Sequence, residues 1–297
     1  MFTEAANQLH TVRDLLRFAV SRFREAELAF GHGTSDAYDE AAYLILHTLH
    51  LPIDRLEPFL DARLLNREVS QVLSIIERRV VERKPAAYLT GEAWLNGLRF
   101  TVNEDVLIPR SHIAGLLDDA LGQWIPDPQN VQRALDLCTG SGCLAIMLAQ
   151  AFPAAQVDAI DCSAKALSVA KKNVGEYQLQ ERVHLIESDL FRAVPQARYD
   201  LIISNPPYVT TQAMAALPPE YRHEPSLGLV AGEDGLDIVH RILQEATRHL
   251  TPKGVLVVEV GGGKTAVEAA YPKLPFLWFT TDSGEEEVFL LSAKDLL

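Results

Sequence analysis

The tetrapeptide Asn205-Pro206-Pro207-Tyr208 directly follows a mostly apolar run, residues 199–204. Proline has no N–H group and is poorly tolerated inside a central strand, so we expect a strand to end at Asn205. The Oδ1 atom of Asn205 and the carbonyl of Pro206 are two acceptors that can take both hydrogens of a planar –NH2 group. Tyr208 adds an aromatic face on which a planar amide or base can lie. The tetrapeptide therefore predicts a binding site for an amide or an aryl amine.

The chemistry that suits such a site is transfer of a group to nitrogen. An amide or aryl amine is a weak nucleophile because its lone pair is delocalised, and hydrogen bonds to its protons would orient the nitrogen. Opposite the methylsulfonium of S-adenosylmethionine, transfer would require mainly positioning. We predict Asn205, Pro206 and Tyr208 as catalytic residues and Asn205, Pro206, Pro207 and Tyr208 as substrate contacts. The alternative is that the prolines only end a strand.

Three further predicted strands end in residues suited to a nucleotide-like ligand. Gly140 and Gly142, in the segment 136–142, let the backbone approach a ligand at a helix N-terminus. Asp161 follows the second strand at about the spacing at which an acidic residue reaches ribose hydroxyls. Asp189 follows the third strand, where it could accept from an adenine amine beside apolar residues that cover the ring.

Ligands of open α/β sheets bind at the carboxyl ends of strands, so these residues should share one pocket. Glycines and carboxylates alone leave a dehydrogenase or a methyltransferase open, and the tetrapeptide at the fourth strand favours the methyltransferase. The alternative is that Asp161 and Asp189 cap the following helices. The predicted cofactor-binding residues are Thr139, Gly140, Gly142, Asp161, Asp189, Leu190 and Asn205.

The elements that must position these residues follow from hydrophobic periodicity. Residues 11–30, 36–49 and 68–83 repeat the helical pattern of apolar positions, which predicts a small helical domain over residues 1–88. Asn96-Gly97 between two short alternating runs predicts a β-hairpin, and residues 89–109 are assigned as a linker that contains it.

Alternating strand and helix signals over residues 110–297 predict a second domain with a parallel sheet covered by helices. Two strands near the end have no helix between them and could pair as a hairpin at the sheet edge. The predicted strands are 134–138, 157–160, 183–187, 201–204, 255–260, 276–280 and 287–291, and the predicted helices are 144–152, 164–174 and 236–250.

Composition limits the classes of partner. The chain has 297 residues, of which 48% are hydrophobic, and a net charge of −13. No apolar stretch reaches the length of about 18 residues that spans a membrane, and no signal peptide is recognised, so a cytoplasmic protein is expected. The acidic balance suits a basic partner better than a phosphate backbone. Three cysteines without paired spacing favour reduced thiols and no metal site.

The segment 136–142, with the pattern Asp-x-x-Thr-Gly-Ser-Gly, together with Asn-Pro-Pro-Tyr resembles the Rossmann-like, S-adenosylmethionine-dependent amino-methyltransferases. The resemblance implies a mostly parallel α/β sheet with an antiparallel edge hairpin, and S-adenosyl-L-methionine as the cofactor. Members of that superfamily modify adenine or guanine amino groups, or the side-chain amide of glutamine. The tetrapeptide alone does not choose among these acceptors.

Further segments resemble the protein N5-glutamine methyltransferases, which carry a helical N-terminal domain for substrate recognition and a linking hairpin. Residues 88–92 and 107–110 are similar to that family, and residues 217–225 and 231–237 are similar to its ribosomal-protein branch, known as PrmB. That branch methylates a glutamine of the large-subunit ribosomal protein conventionally numbered three. The resemblance covers residues 8–292 and implies this ribosomal protein as the substrate.

Two features leave roles open. Arg222 and His223 are candidate substrate contacts, but a loop ion pair or hydrogen bond would explain them as well. Residues 261–264, Gly-Gly-Gly-Lys, depart from the family pattern and are expected to form a flexible turn. The rival functions are a release-factor glutamine methyltransferase, a DNA or RNA amino-methyltransferase, and a scaffold without activity. The release-factor branch continues Ile-Pro-Arg with Pro-Glu-Thr, where this chain has residues 111–113. Neither a basic groove nor a target-recognition domain supports direct nucleic-acid binding.

Overall fold

The computed structural model describes residues 1–118, 120–125, 127–281 and 284–297, and the chain divides into two units. The first unit comprises Met1–Ala93 together with Pro218–His223. The second comprises Trp94–Leu217 together with Glu224–Leu297. The segment Pro218–His223 is therefore flanked on both sides by residues of the second unit, although it packs with the first.

The first unit is built of helices whose apolar faces meet in one core. Thr11 caps α2 through a reciprocal pair of hydrogen bonds with Asp14, and the Asp36 side chain caps α3. The three predicted helical stripes are confirmed. The helices are α1 (Phe2–Gln8), α2 (Val12–Glu25), α3 (Ala37–Thr48), α4 (Asn66–Glu82) and α5 (Ala86–Thr90).

The predicted hairpin is confirmed as β1 (Glu92–Leu95) and β2 (Leu98–Thr101), which form a two-stranded sheet. The turn residues Asn96 and Gly97 have φ angles of 48° and 74°. Both positive angles are those of the tight turn that matches the twist of two antiparallel strands, which is why the sequence signal was reliable here.

The second unit is a seven-stranded sheet with helices on its faces, in the strand order β5-β4-β3-β6-β7-β9-β8. The first five of these strands pair in parallel, whereas β9 pairs antiparallel with β7 and β8. The predicted α/β fold with an antiparallel edge is confirmed. The strands are β3 (Arg133–Leu137), β4 (Gln156–Asp161), β5 (Val183–Glu187), β6 (Tyr199–Ser204), β7 (Leu250–Glu259), β8 (Leu277–Thr280) and β9 (Glu286–Ser292).

The helices of the second unit are α6 (Ile113–Asp118), α7 (Cys143–Ala151), α8 (Ala164–Glu176), α9 (Thr211–Ala216), α10 (Asp237–His249) and α11 (Lys264–Ala270). Both faces of the central strands are covered, since Ala134 lies in one hydrophobic cluster and its neighbour Leu135 in another. The first strand, β3, lies between β4 and β6, so the strand order reverses there and a crevice opens at the carboxyl ends.

The structure corrects one expectation about a loop. The predicted flexible turn at 261–264 is wrong, because Gly261–Gly263 form a 3₁₀ helix that leads directly into α11. In the described part of the chain, no helix combines the length and the apolar character that crossing a bilayer requires.

Candidate functional site

An open cavity lies at the carboxyl ends of β3, β4, β5 and β6, and its empty space of about 790 Å³ includes open solvent. Its lining residues all belong to the second unit. The strand ends contribute Cys138, Gly140, Ile160, Asp161, Cys162, Ser163, Ser188, Asp189, Leu190, Asn205 and Pro207. Five of the predicted cofactor residues and two of the predicted substrate residues thus meet in one place, with Asn205 counted in both sets.

The two glycines behind β3 serve different purposes. Gly140 has a φ of 55°, and no atom lies within 4 Å of the position that a Cβ would take. Gly142 has a φ of 79°, and a Cβ there would lie 3.1 Å from the Cβ of Ala170 in α8. Gly140 therefore leaves room for a ligand in the cavity, whereas Gly142 lets the glycine loop pack against a helix.

Asp161 connects the end of β4 to the glycine loop. Its Oδ2 accepts from the Gly140 amide and its Oδ1 from the Ser163 amide, both at 2.9 Å. The N-cap of α8 is Ser163, whose hydroxyl accepts from the Ala166 amide. Burial raises the pKa of Asp161 above its ordinary value, although the backbone donors oppose this shift. Each carboxylate oxygen retains a lone pair for a further donor.

Thr139 and Asp136 support the loop from below. The Thr139 hydroxyl donates to Oδ2 of Asp136 at 2.5 Å, and both residues are buried. Complete burial raises the pKa of Asp136 to about 7, against the hydrogen bond from Thr139. Thr139 and Gly142 are not among the cavity-lining residues, so the structure gives them positions behind the site.

Asp189 forms an ion pair with Arg241, a contact that the sequence did not predict. Arg241 in α10 donates to Asp189 Oδ2 at 2.7 Å, and this guanidinium holds the pKa of Asp189 below its ordinary value. The Asp189 side chain makes no capping bond to the 3₁₀ turn that follows it. Leu190 lines the cavity, whereas Phe191 is stacked on His249 at 4.3 Å in the core. Nothing in the spacing of Arg241 indicated this contact.

Asn205 stands at the end of β6 with its side chain at the cavity. Ser204 anchors the strand end through a hydrogen bond to the Leu137 carbonyl of β3 at 2.9 Å. Asn205 is half-buried, and among the described residues none forms a hydrogen bond with its amide group or with the Pro206 carbonyl. The acceptor pair inferred from the sequence is therefore not consumed within the described chain.

Residues that follow the tetrapeptide in the sequence hold this strand-end corner, Asn205 to Tyr208, in place. The Val209 amide donates to the Leu229 carbonyl at 2.8 Å, and the Ala231 amide donates to the Val209 carbonyl at 2.9 Å. A Cβ on Gly235 would lie 2.5 Å from the Tyr208 carbonyl oxygen. The Ala-Gly-Glu-Asp-Gly segment, 231–235, thus buttresses the tetrapeptide.

Tyr208 itself lies against the 3₁₀ helix of glycines. A Cβ on Gly261, whose φ is 50°, would lie 2.7 Å from the Tyr208 Cε2 atom. Tyr208 and Pro206 are not among the cavity-lining residues. The Gly-Gly-Gly run was visible in the sequence, but only the fold brings it to the aromatic ring.

Arg222 and His223 belong to the first unit, in the segment Pro218–His223. This segment is anchored by the buried Glu220, which accepts from the Ala29 amide at 3.1 Å and pairs with Arg83 at 2.8 Å. The His223 ring is hydrogen-bonded to the Glu82 carbonyl at 3.0 Å, which agrees with a structural role. Arg222 is exposed and makes no ion pair or hydrogen bond with a described residue. Direct substrate contact stays a prediction for both.

The cysteines form no metal centre in the described ranges, where no cluster of three or more His, Cys, Asp or Glu residues could hold an ion. Cys138 and Cys162 line the cavity, whereas Cys143 is buried at the start of α7. Burial raises the pKa of the Cys143 thiol to about 12 and that of Cys138 as well. These two thiols are therefore neutral at ordinary pH.

The cavity fits S-adenosylmethionine in the chemistry of its lining. Gly140 leaves open the space that a side chain would occupy, and Asp161 and Asp189 place carboxylate acceptors at successive strand ends. The ribose hydroxyls and adenine amine of that cofactor are donors that carboxylates bind.

Comparisons with known proteins agree with these features. A family model described as the methyltransferase small domain matches residues 119–217. The chain is 56% identical to the ribosomal protein uL3 glutamine methyltransferase of Bordetella pertussis, over 97% of each chain. It is 57% identical to the protein of that name from Neisseria meningitidis serogroup B, over 100% of this chain and 98% of the relative.

Solved structures show similarity at the level of the fold. The hMettl16 catalytic domain in complex with MAT2A 3′UTR hairpin 1 aligns with a TM-score of 0.52 and 17% identity. The alignment covers 86% of this chain and 91% of that one. At this identity the similarity concerns the arrangement of strands and helices alone.

Proposed function

We propose that this chain, which belongs to the family of the ribosomal protein uL3 glutamine methyltransferases, transfers a methyl group from S-adenosyl-L-methionine to a glutamine side-chain amide nitrogen of ribosomal protein uL3. The observation that carries the proposal is Asn205, whose amide stands at the cavity without a hydrogen-bond partner among the described residues. A polar side chain at a cavity wall whose hydrogen-bonding groups are not used within the described chain can bond to a bound ligand.

The protein residues act by positioning. Asn205 Oδ1 and the Pro206 carbonyl accept the two hydrogens of the target amide and so direct its nitrogen into the cavity. Tyr208 packs beside the amide, and Pro207 forms part of the wall. S-adenosylmethionine, when bound, would supply a strongly electrophilic methyl group and leave as S-adenosylhomocysteine, and the methylated nitrogen would release one proton to water, so the protein provides alignment and no strong base.

The cofactor is held by the ends of the first three strands. Gly140 gives it backbone access, Asp161 accepts from the ribose hydroxyls, and Asp189 accepts from the adenine amine beside Leu190. Arg241 keeps Asp189 ionised and oriented for this contact. Thr139 and Gly142 act indirectly, because they shape the loop that presents Gly140.

The partner is basic and the enzyme is acidic. Ribosomal proteins carry excess positive charge, and this chain has 40 acidic against 27 basic residues. Oppositely charged proteins attract one another over distances up to about a Debye length, which speeds encounter. The protein acts in the cytoplasm, where ribosomal proteins are made. The N-terminal unit, Met1–Ala93, contributes to recognition of the substrate, as does the exposed Arg222.

The rival functions are distinguished by the acceptor. A release-factor methyltransferase would use the same corner, Asn205 to Tyr208, on a different protein. The net charge of −13 disfavours a nucleic-acid enzyme, because phosphate contacts require basic residues. A scaffold without activity would have no need of a vacant acceptor pair at a strand end.

The experiment is in vitro methylation followed by intact-mass measurement. Purified enzyme is given S-adenosylmethionine and, separately, unmodified uL3, a release factor and duplex DNA, and one added methyl group on uL3 alone is expected. Peptide mass spectrometry then identifies a glutamine as the modified residue. Modification of the release factor or DNA in place of uL3 contradicts the proposal.

The matched variant is Asn205→Ala, which removes the acceptor of the target amide. Loss of one preorganised hydrogen-bonding group at a reacting centre costs about 10²–10³-fold in rate. We expect this loss in kcat measured in single turnover, with little change in thermal stability, because the side chain faces the cavity. A folded variant with near-normal turnover would mean that the tetrapeptide only ends a strand. Asn205→Asp keeps an acceptor and should lose less.

A further inference from the structure

Two segments outside the sheet complete the wall of the cavity. One is Asp105–Leu107, and the other contributes Pro225, Leu227 and Gly228. Neither segment is part of a strand or of a helix longer than one short 3₁₀ turn. Their placement therefore depends on side-chain contacts and not on a hydrogen-bonded ladder.

One buried carboxylate holds the two segments together. Glu224 directly precedes the second segment, and its Oε1 and Oε2 accept from Arg110 Nη1 and Nη2 at 2.6 and 2.7 Å. Oε1 also accepts from the Ile108 amide at 3.0 Å. The Glu224 side chain is fully buried, and the Arg110 side chain is 22% exposed. A two-pronged contact of this kind fixes orientation as well as distance.

The first segment is fixed at its other side as well. The Ser111 hydroxyl and the His112 amide donate to Glu259 Oε2, at the end of β7, at 2.6 and 2.9 Å. The stretch from Ile108 to His112 is thus held to the sheet by Glu259 and to the second segment by Glu224. Of the two carboxylates, Glu224 is the one that joins this stretch to the second segment.

The second segment continues into the residues that pair with the catalytic corner. Leu229 and Ala231 exchange backbone hydrogen bonds with Val209, just after Tyr208. The wall that Glu224 fixes is therefore contiguous with the end of the cavity at which the glutamine amide is proposed to bind. The carboxylates for the cofactor come from other strand ends, at Asp161 and Asp189.

Neither Glu224 nor Arg110 lines the cavity. A buried ion pair is often no more stabilising than apolar side chains of the same volume, because both charges lose their hydration. Orientation of the two segments explains its presence better than stability does.

We propose that Glu224 and Arg110 are positioning residues that hold segments 105–107 and 225–228 as one wall of the cavity, the second segment adjoining its acceptor end, so that the glutamine amide meets the methyl donor in line. This inference rests on the function proposed above. It predicts a defect in alignment of the acceptor and not in affinity for the cofactor.

The test compares Glu224→Gln, Arg110→Gln and the double variant. Glu224→Gln should lower kcat on uL3 by about 10²-fold, the loss that a misplacement of about 1 Å produces. The dissociation constant of S-adenosylhomocysteine, measured by calorimetry, should stay nearly unchanged. The double variant should lose little more than either single variant, since the two groups act as one unit.

A second readout does not depend on activity. Hydrogen exchange at backbone amides in residues 105–108 and 226–228 should accelerate in Glu224→Gln, with slow exchange retained in β3 and β6. The matched control is Glu40→Gln, which breaks another buried glutamate–arginine pair, with Arg79, in the first unit. It should lower the melting temperature without faster exchange in the two segments.

The outcomes separate the proposals. Additive losses in the double variant, unchanged exchange, or a kcat defect matched by an equal rise in the cofactor dissociation constant would overturn the positioning role. If wild-type enzyme fails to methylate uL3, the proposed function fails, and the exchange experiment still reports on the wall.

Discussion

The ring of Tyr208 depends on a glycine that lies far from it in the sequence. Gly261 has a positive φ and faces the ring edge so closely that a methyl group would overlap it. Gly261→Ala should cost roughly 1–2 kcal/mol of stability for the left-handed backbone. It should also displace the ring and lower kcat on uL3 by about 10²-fold. Stopped-flow or quench-flow single-turnover rates measure this.

The neighbouring residue provides the control for this change. Gly262 has no atom within 4 Å of its Cβ position and no positive φ. Gly262→Ala should therefore leave both turnover and the melting temperature close to wild type. Equal turnover in the two alanine variants would show that Tyr208 needs no clearance at Gly261.

Asp136 should make stability depend on pH. Its folded pKa of about 7 exceeds the ordinary value of 3.8, so folding favours the protonated form. This contribution to the free energy of unfolding is full below about pH 4 and is lost as the pH rises through about 7. Asp136→Asn, neutral throughout, should gain up to about 4 kcal/mol relative to wild type over that interval. Urea denaturation at several pH values measures the gain, and parallel stability curves would contradict it.

At the scale of elements, local sequence patterns were sufficient to predict the structure wherever a segment determines its own conformation. The hairpin at Asn96-Gly97 and the order of strands and helices were predictable, because turn chemistry and periodicity are local. The start of α4 is harder to predict, because Asn66, a residue type common at N-caps, is the first helical residue, and the Glu68 carboxylate accepts from the Leu65 amide.

The candidate site was predictable where residues follow strands, and not where distant segments meet. Gly140, Asp161 and Asn205 could be assigned because parallel strands bring their carboxyl ends together. Arg241 and Gly261 could not, since their partners depend on how a helix and a loop return to the sheet edge. The Gly-Gly-Gly run was misread as flexible because glycine permits freedom but also permits close approach.

The segment Pro218–His223 contains both a buried anchor, Glu220, and an exposed charge, Arg222. Deleting the segment would therefore not distinguish a role in substrate recognition from a role in folding. Arg222→Ala should raise KM for uL3 about fivefold, the equivalent of an exposed ion pair, without lowering the melting temperature. Glu220→Gln should instead destabilise the first unit by on the order of 3 kcal/mol, because Arg79 and Arg83 lose a buried partner. Steady-state kinetics and calorimetric melting separate the two, and an unchanged KM would remove Arg222 from recognition.

At the scale of the whole molecule, binding of the cofactor and attraction of the protein substrate depend on electrostatic interactions of different range. In the proposed site the cofactor meets fixed groups in a cavity, Asp161 and Asp189 among them, at short distances where added salt has little effect. A basic protein substrate is attracted by the summed surface charge, which salt screens. The net charge of −13 should therefore affect the rate of encounter with the substrate and not the transfer step proposed at Asn205.

Ionic strength should consequently separate substrate capture from cofactor binding. Raising salt from roughly 0.03 to 0.3 M shortens the Debye length to well under 10 Å. We expect kcat/KM for uL3 to fall at least about tenfold, as for other electrostatically steered pairs. The rate at saturating uL3 and the dissociation constant of S-adenosylhomocysteine should change little, because both reflect contacts already formed. A kcat/KM that is flat across this range would show that the acidic surface plays no part in attracting the substrate, and recognition would then rest on short-range contacts alone.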